Sequence, residues 1–164
     1  MATLIEISSR YVGQKENPGN QGFKNSDFDK KMRSVGFVNG APWCMFFVML
    51  CVKEAYPDRW TELKPLFSGS CLKTLNNFKK AGYTILAHPE PNAICIWQSG
   101  STANGHTAIC ASGASPSAGG TFATIEGNTN AAGGREGDTV AHKVRKNTNV
   151  PVDSGLWVRG FLKI

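Results

Sequence analysis

The run Met45-Phe46-Phe47-Val48-Met49-Leu50-Cys51-Val52 carries no charged or hydroxyl side chain. A surface helix keeps one polar face, so a helix built from this run must be buried, with the other elements packed around it. Gly40-Ala41 makes a turn, and Pro42 has its φ preset for a first helical turn, where a missing N–H costs nothing. The predicted helix runs from about Pro42 to Tyr56, where Pro57 stops it. Cys44 then falls in the first turn. Free N–H groups and the positive end of the helix dipole favour a thiolate there, and the N–H of Cys44 itself is available as an oxyanion donor. The alternative for Cys44 is a small apolar core residue, which is what most cysteines are.

On either side of this helix the chain changes character. Leu4, Ile5, Tyr11 and Val12 recur at helical spacing, so residues 2–12 read as a first helix ending near Gly13. Glu16-Asn17-Pro18-Gly19-Asn20 is a turn-rich loop, after which Ser26 with Asp29 predicts a capped second helix with Phe28, Met32 and Val35 inward. Asp27-Phe28-Asp29 lacks the further ligands and the glycine of a calcium loop, so these are helix-start carboxylates. Residues 60–67 read as a short helical or irregular piece. Ser70 opens another helix, with Leu72, Leu75 and Phe78 inward and Gly82 as its stop. Beyond Gly82 come six short apolar or β-branched runs, 83–87, 93–97, 106–111, 122–126, 139–145 and 156–162, separated by Gly, Pro, Asn and Ser clusters. Ser112–Gly120 is a natural hairpin connection. Helices followed by strands predict an α+β fold, with N-terminal helices packed on a C-terminal antiparallel sheet of about five to six strands.

The 164 residues suit one compact domain, 1–164, with a real core. A net charge of +6 suggests an anionic partner. The Lys and Arg residues are scattered, with Lys143-Val144-Arg145-Lys146 the densest cluster, and no arginine-rich arm or aromatic-basic ladder appears, so nucleic acid is not expected. No apolar run reaches the length of a membrane span, and Met1–Glu6 lacks the features of a signal peptide. Cys44 and Cys51 would lie roughly 10 Å apart along one helix and cannot bridge. Cys51, Cys71, Cys95 and Cys110 sit in apolar contexts and read as reduced core thiols. No zinc spacing joins the cysteines to the histidines.

A nucleophilic Cys44 needs a base. His88 lies in His88-Pro89-Glu90-Pro91, a loop with two prolines, where it is expected to be exposed. His142 shares strand parity with Val140 and Val144, which suggests a half-buried structural residue. His106 follows Asn104-Gly105 at a strand start, well placed to aim an imidazole at a helix N-terminus. Glu126 and Asn128, two apart on the next strand, point to one face, and either one can accept from the imidazole and fix its tautomer. Each also has a plain reading: Glu126 as a solvent-facing strand residue, Asn128 as a turn residue before Thr129-Asn130.

Taken together, Pro42-Trp43-Cys44 with Phe47-Val48, Gly105-His106-Thr107-Ala108-Ile109 and Ile125-Glu126-Gly127-Asn128 resemble the CHAP family, the cysteine, histidine-dependent amidohydrolases/peptidases of the papain-like NlpC superfamily. Pro91-Asn92-Ala93-Ile94 is similar to a family strand that usually begins Pro-Gly-Asp, and Glu16-Asn17-Pro18-Gly19 resembles the opening of small, often phage-borne, peptidoglycan hydrolases. The resemblance implies a papain-like fold and cleavage of peptidoglycan, at the amide between N-acetylmuramic acid and L-alanine or within the peptides. It assigns the nucleophile to Cys44, the base to His106 and orienting roles to Glu126 and Asn128. Some members carry a calcium loop near the nucleophile, but Val38-Asn39-Gly40-Ala41 lacks its acids, so no metal and no cofactor are expected.

The expected protein is a monomeric phage lysin or antibacterial effector, made in the cytoplasm without a signal peptide. It would reach the wall through a holin, dedicated secretion or lysis. A papain-like acyltransferase and a non-catalytic wall-binding module remain the alternatives.

Overall fold

The computed structural model describes residues 1–115, 119–129 and 137–164. Five α-helices precede six strands: α1 (Leu4–Ser9), α2 (Ser26–Ser34), α3 (Cys44–Ala55), α4 (Trp60–Leu63), α5 (Cys71–Lys80), then β1 (Thr84–Leu86), β2 (Ile94–Ser99), β3 (Gly105–Cys110), β4 (Thr121–Thr129), β5 (Thr139–Lys146) and β6 (Leu156–Lys163). The strands form one sheet in the order β1-β6-β2-β3-β4-β5, every pair antiparallel. All six predicted runs are strands, and the α+β expectation holds. In the connection 112–120, Ser115 bridges Thr121; residues 116–118, and Asn130 of the expected turn after β4, lie outside the described residues. Among the described residues no helix is long and apolar enough to cross a membrane.

The buried helix is α3. Met45, Phe47, Val48, Leu50, Cys51 and Val52 are buried, and α3 packs against β3, β4, α1 and α2. Burying each large apolar side chain contributes about 1.5–3 kcal/mol, so this helix anchors the helical layer. The sheet divides its side chains by alternation. Ile94, Ile96, Ile109 and Ile125 join the helix-side core, while Cys95, Trp97, Ala108, Cys110, Phe122 and Phe161 form a second cluster.

Helix boundaries differ from expectation for local reasons. α1 ends at Ser9 because the chain beyond it pairs with β5: Gly13 N–H donates to Val140 O, and Val140 N–H to Gln14 O. The cap of α2 is Asn25 rather than Ser26, its side chain accepting from the N–H groups of Asp27 and Phe28. Asp29 accepts from Phe23 N–H and pairs with Arg33. Pro42 lies before α3 instead of in its first turn. The N-cap is Trp43, whose indole N–H donates to Glu16 at 2.6 Å and fixes the chain's entry into the helix.

Two glycines set how closely the layers meet. A Cβ on Gly127 of β4 would lie 2.7 Å from Phe47 Cβ and 2.8 Å from the Trp43 ring. One on Gly105 would lie 2.5 Å from Trp97 O and 3.1 Å from Cys71 Cβ. Gly127→Ala is therefore expected to push α3 off β4 and cost about 1–3 kcal/mol by overpacking. Urea denaturation reads that loss; an unchanged midpoint would show that the close approach is not needed.

Candidate active site

Cys44 is the first residue of α3, and no side chain caps that helix end. The first-turn N–H groups, including that of Cys44, therefore remain available to an anion. Gly105 brings the start of α5 against the start of β3, so Cys71, the first residue of α5, faces the same space as His106. Cys44, Cys71, His106 and Asn128 line one pocket of about 250 Å³.

His106 is buried, its ring stacked on Trp97 at 5.7 Å, and its Nε2 lies 2.8 Å from Glu126 Oε2. That contact leaves Nδ1 as the nitrogen free to serve Cys44. Glu126 is fully buried, yet every part of its carboxylate is engaged. Oε1 accepts from Thr124 Oγ1 and Arg145 Nε, both at 2.7 Å, and Oε2 accepts from Arg145 Nη2 at 2.6 Å as well as facing His106. Arg145 thus grips the carboxylate with two parallel bonds, the strong bidentate geometry. Its guanidinium also lies 5.7 Å from the Trp97 ring.

The electrostatics agree with this arrangement. Hydrogen bonding from Cys71 is the foremost cause holding the Cys44 thiol well below its ordinary range, joined by hydrogen bonding and attraction from His106 and by the Met45 N–H, against the opposing effect of burial. Burial alone would lower the His106 imidazolium, but Cys44 and Glu126 outweigh it and raise His106 to about 9. Burial likewise opposes ionisation of Glu126, and the hydrogen bonds from Arg145 and His106 override it, holding the carboxyl well below the usual range. These shifts all favour a thiolate–imidazolium pair backed by a carboxylate.

The four sequence-predicted residues converge, though not by identical routes. Asn128 lines the pocket, but a bulge between Glu126 and Thr129 breaks the alternation, and Asn128 adopts φ 55. Among the described residues it makes no hydrogen bond to the imidazole, which pairs with Glu126. His88 is exposed beside Glu90. His142 is exposed rather than half-buried, because the helical layer covers β5 only as far as Val140; Val144, on the same parity, is 71% exposed. Sequence reasoning missed Arg145 and Cys71. Arg145 stood in a basic cluster that read as surface, and only the β4–β5 register carries it to Glu126. Cys71 looked like a core thiol because its apolar neighbours are on its own helix.

A sequence model of the CHAP domain matches residues 36–128, a span that takes in Cys44, His106, Glu126 and Asn128. The chain belongs to the CHAP family. CHAP domains are, as a family, cysteine- and histidine-dependent amidohydrolases and peptidases of peptidoglycan, and the helices-then-sheet architecture is their papain-like α+β fold. Searches of curated proteins and of solved structures return no match. Arg145 lies beyond the matched CHAP span.

Two expected results follow from the Glu126 contacts. Arg145→Met takes from the buried carboxylate its bidentate cation and leaves it His106 as cation, a loss of up to about 3–5 kcal/mol. The sign follows from the lowered carboxyl: its contribution is present above the unfolded-state value and lost as pH falls through the folded-state value. Without Arg145 that folded-state value rises, so acid unfolding should begin at higher pH; an unmoved acid midpoint would remove Arg145 from this role. Glu126→Gln should lower kcat by roughly 10²–10³-fold through weaker hold on the imidazolium, less than the effect of the same change in serine-protease triads. Asn128→Ala should cost less. Rates compared at matched folded fraction check both, and the reverse ranking would make the amide the orienter.

Proposed function

We propose that this chain is a peptidoglycan hydrolase that cleaves an amide bond of the cell wall, either as an N-acetylmuramoyl-L-alanine amidase or as a peptide endopeptidase. The observation that carries the reading is one pocket holding Cys44 at an uncapped helix start together with His106, itself paired to the buried Glu126. Cys44 is the nucleophile: its thiolate adds to the scissile carbonyl, and the Cys44 N–H meets the developing oxyanion. The His106 imidazolium gives its proton to the departing amine, leaving an acyl-enzyme. The neutral imidazole then takes a proton from water, which attacks the thioester and releases the acid and the thiolate. Glu126 keeps the imidazole in one tautomer, and Asn128 borders the substrate's space.

The catalytic unit on this reading is the whole of 1–164. Leu4, Ile7, Phe28 and Met32 before the matched span, and Val140 and Leu162 after it, belong to the same core as α3, which supports that reading. The charge of +6 supports attraction to an anionic wall, and the proposal invokes no nucleic-acid partner, membrane insertion, metal or cofactor. A monomeric phage lysin or antibacterial effector, made in the cytoplasm and reaching the wall by a holin, dedicated secretion or lysis, fits these properties. Mass spectrometry of digested peptidoglycan tests the proposal. A new L-alanine amino terminus identifies the amidase and new termini inside the peptides the endopeptidase; an undigested wall would sink both.

A further inference from the structure

Beyond hydrogen-bonding to Cys44, Cys71 takes part in no step of amide hydrolysis, and its sulfur lies 4.0 Å from that of Cys44. The two residues occupy equivalent places, each the first of its helix, α3 and α5, and both line the pocket. They are 5% and 4% exposed, so a reactant the size of water reaches them through the pocket. Cys51, Cys95 and Cys110 are each 0% exposed and line none of it. Gly105 is part of this arrangement, since a Cβ there would collide with Trp97 O and press to 3.1 Å from Cys71 Cβ.

We propose that Cys44 and Cys71 form an oxidisable dithiol, in which a hydroperoxide converts the nucleophile to a disulfide and a dithiol reductant restores it. This rests on the reading of Cys44 as a reactive thiolate. In the first step the Cys44 thiolate attacks the terminal peroxide oxygen and the O–O bond breaks. Cys44 becomes a sulfenic acid, and the alkoxide or hydroxide leaves with the His106 proton as alcohol or water. In the second, the now neutral His106 takes the Cys71 proton, and the Cys71 thiolate attacks the sulfenic sulfur. The S–S bond forms, the S–O bond breaks, and hydroxide leaves as water with that proton. Two electrons pass from the two thiols to the peroxide.

The geometry asks for a closing of about 2 Å, from the present separation to a bonded one. The order of events is built into the charges. While Cys44 is a thiolate, its hydrogen bond is the foremost cause holding the Cys71 thiol well above its ordinary range. Oxidation of Cys44 removes that charge and frees Cys71, at a helix start, to ionise. The disulfide therefore forms only after Cys44 has been hit, and it intercepts the sulfenic acid before further peroxide takes it to irreversible acids.

The test uses the full chain, reduced, desalted and treated with excess hydrogen peroxide. Wall clearing, intact mass and peptide maps are followed before and after dithiothreitol, each protein normalised to its own untreated rate. The wild type is expected to lose activity at least roughly tenfold, to lose two hydrogen atoms in mass with a Cys44–Cys71 cross-link, and to recover with reductant. Cys71→Ser and Cys71→Ala are expected to carry Cys44 sulfinic or sulfonic acid and to recover nothing. Oxygen adducts on wild-type Cys44 without the cross-link, or either Cys71 variant recovering as the wild type does, would overturn the proposal. Absent wall clearing in the untreated protein would count against the hydrolase reading alone, because the cross-link is read by mass.

Discussion

Cys44→Ser should abolish wall hydrolysis, by roughly 10⁴-fold or more, while leaving the fold intact. A thiol ionises near 8.5 in free solution, and here the Cys71 hydrogen bond and the His106 imidazolium pull it lower still. A serine hydroxyl in the same place ionises far less readily, so no anion stands ready beside His106. The site is tuned to hold a thiolate in advance of substrate, whereas a serine nucleophile needs a neutral imidazole to take its proton as it attacks. The exchange removes no carbon, so thermal unfolding should shift by about 1 kcal/mol or less. Cys51→Ala, in the middle of the same helix, is the control: it costs packing but does not line the pocket of Cys44, and activity per folded molecule should stay. A folded Cys44→Ser protein that still clears walls would end the cysteine-hydrolase reading.

What the sequence disclosed, and what it withheld, divides along one physical line. Contacts within a single element, or between an element and the solvent, leave a pattern in the chain. The apolar run of α3 declared its burial, the six strands showed as apolar or β-branched runs between turn clusters, and Cys44 was legible as a helix-start thiol. Contacts between elements distant in sequence leave no such trace. Arg145 reaches Glu126 only because β5 pairs with β4 in one register, with Phe122 opposite Arg145. Read alone, the basic run 143–146 is indistinguishable from a solvated edge. Cys71 meets Cys44 because two helix starts converge over Gly105, and neither helix's periodicity records the meeting. His142 failed for the complementary reason. Its parity was right, but where the covering layer stops is a property of the fold. Asn128 was displaced from the simple alternation by a bulge, which places Gly127 where Phe47 and Trp43 crowd the strand.

His106→Ala should cost about 10⁴-fold in kcat/KM, the upper range for a lost acid–base group, and the shape of the pH profile should change with it. His106 is raised to about 9, so the imidazolium that donates to the leaving amine is present below that value and lost as pH rises through it. Wild-type kcat/KM should therefore fall on the alkaline side near pH 9, with its acid limb set by the lowered Cys44 thiol. In His106→Ala the alkaline limb should vanish. The residual rate should instead climb towards the thiol's higher ionisation, since the cation that held it low is gone. His142→Ala, on the exposed part of β5, should reproduce the wild-type curve. Unfolding is a poor substitute readout. Forming the thiolate–imidazolium pair passes one proton from sulfur to nitrogen and takes none up, so stability stays nearly flat between the free values of histidine and cysteine. An inactive His142→Ala beside an active His106→Ala would reverse the assignment. An alkaline limb that survives in His106→Ala would mean that another group donates the proton.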